Sequence, residues 1–360
     1  MKMKLIAGIL GATGMVGQKY LALLENHPWF KIAYLAASER SAGKKYSEAV
    51  RGRGHMQGDI PKGIEDLVVG DANDFNAAWK RCDFVFSALE MDKDAIKKLE
   101  MNYAKLGIPV VSNCSAHRFT EDIPMLIPEI NPEHINIIPE QRRHYKFDKG
   151  FIVVKPNCSI QSFMIPVYAL MKAGYNIGEI DVTTQQALSG AGYPGVSGLD
   201  ILDNRIPNIS GEEEKTEREP LKIFGTVLGG KIVNRKNLKI AAQCNRDNVY
   251  DGHSACVKLR FNGEKPCIKK IIEIWRNFKG VPQELELPFA PKQAIIYKEE
   301  ENRPQPKLDR DADKGMAVSV GRLREFYDGI MFVGLSNNIV RGAAGGGILN
   351  AELLRARGYF

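Results

Sequence analysis

Leu5-Ile6-Ala7-Gly8-Ile9-Leu10 runs directly into Gly11-Ala12-Thr13-Gly14-Met15-Val16-Gly17, and this join decides how the chain folds. The apolar run reads as a buried first strand, and residues 16–26 carry the spacing of a helix. Glycines between them allow a sharp turn and a close approach of backbone N–H groups to a pyrophosphate, where the helix start adds a favourable partial charge. Gly11, Thr13, Gly14, Met15 and Val16 are the candidate contacts. A tight turn with packing glycines would use the same residues, so the surroundings must decide.

Those surroundings alternate. Strands are predicted over 32–37, 84–88 and 109–112, with a helix over 95–106. Such alternation implies a parallel, doubly wound sheet, and so dinucleotide binding. The second strand ends in Ser38-Glu39-Arg40-Ser41-Ala42-Gly43-Lys44-Lys45. An acidic residue about twenty positions beyond the glycines favours a ribose diol and NAD. Ser38, Arg40 and Ser41, followed by two lysines, offer the hydroxyl and cationic donors that suit a 2′-phosphate, and the balance favours NADP.

From residue 151 the pattern changes to longer strands over 180–188, 255–261 and 316–320, with a helix over 268–278. An α+β domain on a mixed or antiparallel sheet fits. The small residues of 342–347 suit a closely packed helix that returns to the first domain. The expected division is therefore a Rossmann-like NADP-binding domain, 1–156 with 337–360, and a catalytic and dimerisation domain, 157–336.

With 360 residues, 44% hydrophobic and 26% charged, the chain can bury a real core. Its 50 basic and 43 acidic residues leave +7, spread without a block of one sign. That suits small anionic ligands and not a nucleic-acid track. No zinc-finger spacing is present, and no metal centre is expected. The start, Met1-Lys2-Met3-Lys4 before an apolar run, imitates a signal peptide but leads straight into the glycine motif. No other run approaches the roughly twenty apolar residues of a membrane span. Six cysteines without a CxxC pair point to reduced thiols in a cytoplasm.

Two of those cysteines carry chemistry. Cys158, in Lys155-Pro156-Asn157-Cys158-Ser159, stands between an extended run and a predicted helix, and Cys114 sits in a second Asn-Cys-Ser triplet after 108–112. A free thiol has a pKa of about 8.5, and a helix start or an imidazole raises its thiolate fraction. The imidazole on offer is His253, in Asp251-Gly252-His253, seven residues after Arg246. Local pattern alone leaves both cysteines open as the nucleophile.

The motifs together resemble one family, the aspartate-β-semialdehyde dehydrogenases, in the branch found in archaea and fungi. Its carriers are GATGMVG at 11–17, SERSAGKKY at 38–46, SNCSAHR at 112–118, PNCS at 156–159, QALSGAGYPGV at 186–196, ISGEEEK at 209–215, EPLK at 219–222, DGH at 251–253, RPQPKLDRD at 303–311 and NNIVRGAAGG at 337–346. The resemblance implies NADPH-dependent reduction of β-aspartyl phosphate to aspartate semialdehyde and phosphate, a step towards lysine, threonine and methionine. An acyl-CoA reductase built on the same scaffold is the alternative.

The resemblance also ranks Cys158 first, as the nucleophile that carries a thioester. It implies His253 as the acid/base, Gln186 as the amide that positions the acyl group, and Arg246 as the grip on the substrate carboxylate. Glu219 would pair with the substrate ammonium, while Lys222, Arg118 and Asn113 would contact substrate and phosphate. Ser189, Gly190, Gly192 and Asn338 would face the cofactor, and assembly as a homodimer or homotetramer is implied. Gly52, Asp247 and Asn337 depart from the family pattern. Asp247 is the one that bears on substrate choice, since a carboxylate beside Arg246 could neutralise it.

Overall fold

The computed structural model describes residues 3–52 and 58–360. Met1 and Lys2 of the apparent leader lie outside the described residues. Six strands form the first sheet: β1 (Leu5–Leu10), β2 (Phe30–Ala37), β3 (Gly70–Asp71), β4 (Phe84–Ser87), β5 (Val110–Ser112) and β6 (Ile152–Val154). Their order is β3-β2-β1-β4-β5-β6 and every pairing is parallel. This is the doubly wound order, with its switch point between β1 and β4, where open α/β sheets bind their ligands.

At that point the glycine loop is sterically fixed. Gly11 has φ +81°, and a Cβ on it would lie 2.3 Å from the Ala88 carbonyl oxygen. Gly17, on helix Met15–Leu24, has room for no side chain either, since a Cβ would lie 2.2 Å from the Gly11 oxygen. Helix and strands β1 and β4 thus close to backbone contact.

The second half holds β7 (Ile177–Gln186), a small hairpin of β8 (Thr226–Leu228) and β9 (Lys231–Val233), then β10 (Lys239–Arg246), β11 (His253–Phe261), β12 (Ile295–Tyr297), β13 (Val318–Phe326) and β14 (Gly329–Ser336). The larger sheet runs β10-β7-β11-β14-β13-β12, with β10–β7 and β12–β13 parallel and the other pairs antiparallel. The expected mixed sheet is therefore present, and the hairpin and β12 are additions to it. Helices Met164–Lys172 and Ile268–Asn277 pack against one face, where Trp275 is buried and donates to the Pro166 carbonyl.

The last helix, Gly345–Ala356, does return to the first sheet. Ile348, Leu349, Leu353 and Leu354 share a buried cluster with Ala7, Ile9, Phe86 and Val153. Gly347 lies so near Tyr20 that a Cβ would stand 1.9 Å from the phenol oxygen. A π-turn, Val340–Ala344, precedes this helix. No helix among the described residues is long and apolar enough to cross a membrane.

Candidate active site

A cleft of about 380 Å³ begins at Met15 and Val16, passes Ala88, Leu89 and Glu90 at the end of β4, and reaches Asn113, Arg118, Asn157 and Cys158. Ser189, Gly190, Gly192, Glu212, Lys215 and Asn338 complete its walls. Helix Met15–Leu24 carries no side-chain cap at Gly14, so its first N–H groups remain available to an anion. Ser38 and Arg40 are exposed just past the end of β2, while Ser41 is tucked beneath them.

Cys158 stands at the deep end of the cleft because β6 delivers it there, and Gly342 of the π-turn seats it: a Cβ on Gly342 would lie 2.7 Å from that of Cys158. Its Sγ is 3.3 Å from Nε2 of His253, the first residue of β11. The Ala187 N–H donates to Nδ1 of the same ring at 2.9 Å. An amide N–H cannot accept, so Nδ1 carries the lone pair and the neutral ring holds its proton on Nε2, facing the sulfur. Burial, reinforced by Arg246, lowers the His253 pKa to about 3.

For Cys158, burial and then Glu212 push the thiol up, while Lys155, Arg118 and Arg246 act in the opposite direction. Cys114 lines the same cleft but has a different setting. Its Sγ lies 3.3 Å from the Leu89 carbonyl oxygen, and burial followed by the charge of Glu100 pushes it up to about 12. Local sequence pattern leaves the two thiols level, and the resemblance alone ranks Cys158 first; their neighbours differ, since of the two only Cys158 has an imidazole beside it among the described residues.

Arg246 and Gln186 sit at the ends of β10 and β7, next to His253. Arg246 donates to the Ala187 carbonyl at 2.7 Å, and Asp247 turns away to pair with Arg205 at 2.6 Å. The feared neutralisation of Arg246 by its neighbour is absent. Turn Leu188–Ala191 covers this cluster, and Asn338 anchors it by donating to Ser189 Oγ and accepting from the Gly252 N–H, both at 2.8 Å.

Helix Glu212–Ile223 carries two Glu-x-x-Lys pairs seven residues apart, and the cleft receives the first, not the second. Glu219 is fully buried, with one oxygen on Arg118 at 2.8 Å and the other on the Asn157 N–H at 2.6 Å. Lys222 gives its three protons to the carbonyls of Arg118, Thr120 and Ile123 at 2.6 to 2.8 Å. The expectation that this pair holds substrate ammonium and phosphate is corrected: both side chains are consumed by the protein's own backbone and by Arg118.

The pair that sequence reasoning passed over is Glu212 and Lys215. Glu212 accepts from Asn157 Nδ2 at 2.7 Å, Gln186 Nε2 at 3.3 Å and Lys215 Nζ at 2.7 Å. Burial would raise its pKa, but Lys215 and these hydrogen bonds outweigh it and hold the carboxyl below its ordinary value. The signal was present in the ISGEEEK motif. Arg118 spends its fork inside the protein, on Lys155 O, Glu219 and Asn113 O, while its residue still borders the cleft. Asn113 donates to Tyr20 at 2.9 Å, and its buried Oδ1 has no partner among the described residues.

Comparison with known proteins identifies the family. Residues 6–138 match the NAD-binding domain of semialdehyde dehydrogenases, and residues 167–341 match the dimerisation domain. The aspartate-semialdehyde dehydrogenase of Archaeoglobus fulgidus is 45% identical, over 98% of this chain and 98% of the relative. That of Aspergillus fumigatus is 43% identical over 98% of this chain and 97% of its own. The crystal structure of the Candida albicans enzyme with NADP superimposes with a TM-score of 0.90 at 39% identity, covering 99% of this chain and 100% of the other. The chain belongs to the aspartate-semialdehyde dehydrogenase family.

Proposed function

We propose that the protein catalyses NADPH-dependent reductive dephosphorylation of β-aspartyl phosphate to L-aspartate 4-semialdehyde, in aspartate-family amino-acid biosynthesis. The observation that carries the reading is the Cys158 to His253 contact of 3.3 Å, at the end of a cleft that opens on the glycine loop. The residues fit a dinucleotide: a cradle at Gly11 and Gly17 too close for any side chain, an uncapped helix start, and Arg40 beyond β2 for a 2′-phosphate. NADPH, when bound, supplies the hydride.

The chain's own residues do the rest. Cys158 attacks the acyl carbon and phosphate leaves carrying the proton that the thiol gives up, giving a thioester; His253, with its proton on Nε2, donates a hydrogen bond to the oxygen or sulfur that gains charge. Arg246 binds the α-carboxylate through its fork, Gln186 orients the acyl group, and Glu212 takes the substrate ammonium. Lys215 and the Asn113 amide serve the phosphate, and Arg118 shapes that pocket while tied to Glu219. Ser189, Gly190, Gly192 and Asn338 form the wall opposite the glycine loop.

The same reading divides the chain into 1–156 with 337–360 for the cofactor and 157–336 for chemistry and assembly, in keeping with the two sheets. A twofold dimer is supported by the uncovered face of the second sheet, where Ala241, Gln243 and Cys256 are exposed, and by the family's name for residues 167–341. Six free thiols favour a cytoplasmic setting.

The test is NADP reduction with aspartate semialdehyde and phosphate. Cys158→Ala is expected to abolish turnover and leave NADPH binding nearly intact. Full activity in that variant, or NADPH oxidation with acyl-CoA and none with the semialdehyde, overturns the reading.

A further inference from the structure

A thiolate in a buried cleft needs a nearby positive charge, and the imidazole beside Cys158 does not supply it. With the Ala187 N–H directed at Nδ1, a second proton on the His253 ring would face a donor, inside a fully buried site and beside Arg246. A neutral ring donates a hydrogen bond to sulfur but leaves its charge uncompensated.

Three cations remain. Arg118 is already paired with Glu219. Arg246 feels the charges of both Cys158 and Glu212, and it is the residue assigned to the incoming carboxylate, so its charge is shared once substrate is bound. Lys155 is different: it is 2% exposed, the only acceptor of its Nζ among the described residues is the Pro156 carbonyl at 2.9 Å, and it forms no ion pair with a carboxylate there.

Its position relative to the sulfur follows from the C-terminal segment. A Cβ on Gly342 would lie 2.7 Å from Cβ of Cys158, and one on Gly346 would lie 2.7 Å from Cε of Lys155. Gly342 belongs to the π-turn and Gly346 to the first turn of the helix that follows it, so one short run of small residues abuts both the thiol and the amine side chains. The charges of Lys155 and Cys158 act on each other in that setting.

We propose that Lys155 is the counter-charge of the Cys158 thiolate, a positioning residue that acts through the nucleophile while His253 stays neutral and donates to the same sulfur. The proposal rests on Cys158 being the nucleophile. No co-reactant is needed, because thiol with amine and thiolate with ammonium are two placements of one proton. Burial, joined by Arg118 and Arg341 and only partly offset by the charges of Cys158 and Glu219, lowers the Lys155 pKa to about 7. Its charge state thus responds to what the sulfur carries.

The experiment is the pH dependence of Cys158 alkylation by iodoacetamide in the full chain, without cofactor or substrate, read on the Cys158 peptide. Exposed Cys267 serves as the internal reference. Lys155→Met, which keeps an unbranched apolar stem, is expected to move the midpoint up by about one pH unit and slow alkylation at neutral pH about tenfold, with Cys267 unchanged. A Lys155→Met profile that superimposes on the parent's overturns the proposal. Nitrogen-15 NMR of the unaltered protein gives a second measurement independent of folding in the variant. A neutral Nε2–H tautomer at His253 at pH 7 is expected, and an imidazolium there overturns the assignment. Turnover surviving in Cys158→Ala would instead defeat the underlying reading, a distinguishable result.

Discussion

Gly190 lies so close to His253 that a Cβ on it would stand 2.9 Å from both Cε1 and Nε2 of the imidazole, and 2.9 Å from Nη1 of Arg246. Gly190 is outside the set of left-handed glycines, so the constraint is room and not backbone conformation. Gly190→Ala is expected to displace the ring from Cys158 and lower kcat/KM by about a hundredfold, the effect of roughly 1 Å of misplacement. Steady-state kinetics check this; activity within about threefold of the parent would show that turn 188–191 yields instead.

The two lysines of helix Glu212–Ile223 should behave oppositely. Lys222→Met leaves three inward-facing carbonyls without their donor, and a loss of about 3 kcal/mol or more in unfolding free energy is expected. Lys215→Met should cost less, about 1 kcal/mol, since the side chain is partly exposed and Glu212 keeps its hydrogen bonds from Asn157 and Gln186, yet it should raise KM for phosphate at least about tenfold. Denaturant melts and phosphate titrations separate the two.

Asp247 is committed to Arg205, not to Arg246. Asp247→Asn should therefore change KM for aspartate semialdehyde by less than about threefold, because a partly exposed pair carries little energy. A large fall in KM would show that the carboxylate opposes the substrate after all.

His117 gives a pH signature. Burial lowers its pKa to about 4 from an ordinary 6.5, so between those values the unfolded chain binds a proton that the folded one does not. Its contribution is complete above pH 6.5 and is lost as the pH falls towards 4. The stability cost of His117→Asn should accordingly shrink by up to about 2 kcal/mol between pH 7.5 and 5. Urea melts of both proteins at the two pH values give the comparison.

The alternation of strand and helix around GATGMVG was enough to read the parallel sheet, because burial on both faces leaves near-continuous apolar runs. The thiol and the imidazole were legible too, and folding brings residues 158 and 253 within 3.3 Å. The sequence reading assigns Glu219 and Lys222 to the substrate, whereas the cleft receives Glu212 and Lys215. Seven residues are almost two full turns, so Glu212 and Glu219 share one face and helical phase cannot separate them. Only the segment around Arg118 to Ile123, which lies over the second pair, makes the distinction. The contacts of Gly342, Gly346 and Asn338 were equally hidden, being set by the approach of segments far apart along the chain.

The return of Gly345–Ala356 to the first sheet, with Gly342 against the nucleophile, makes the thiol's seat depend on a segment that follows every strand of the chain. A chain cut after Ser336 keeps Cys158 and His253 but loses both the surface on which the sulfur's residue rests and the helix that fills the nucleotide half, so truncation there is expected to silence the enzyme without removing its nucleophile or its imidazole.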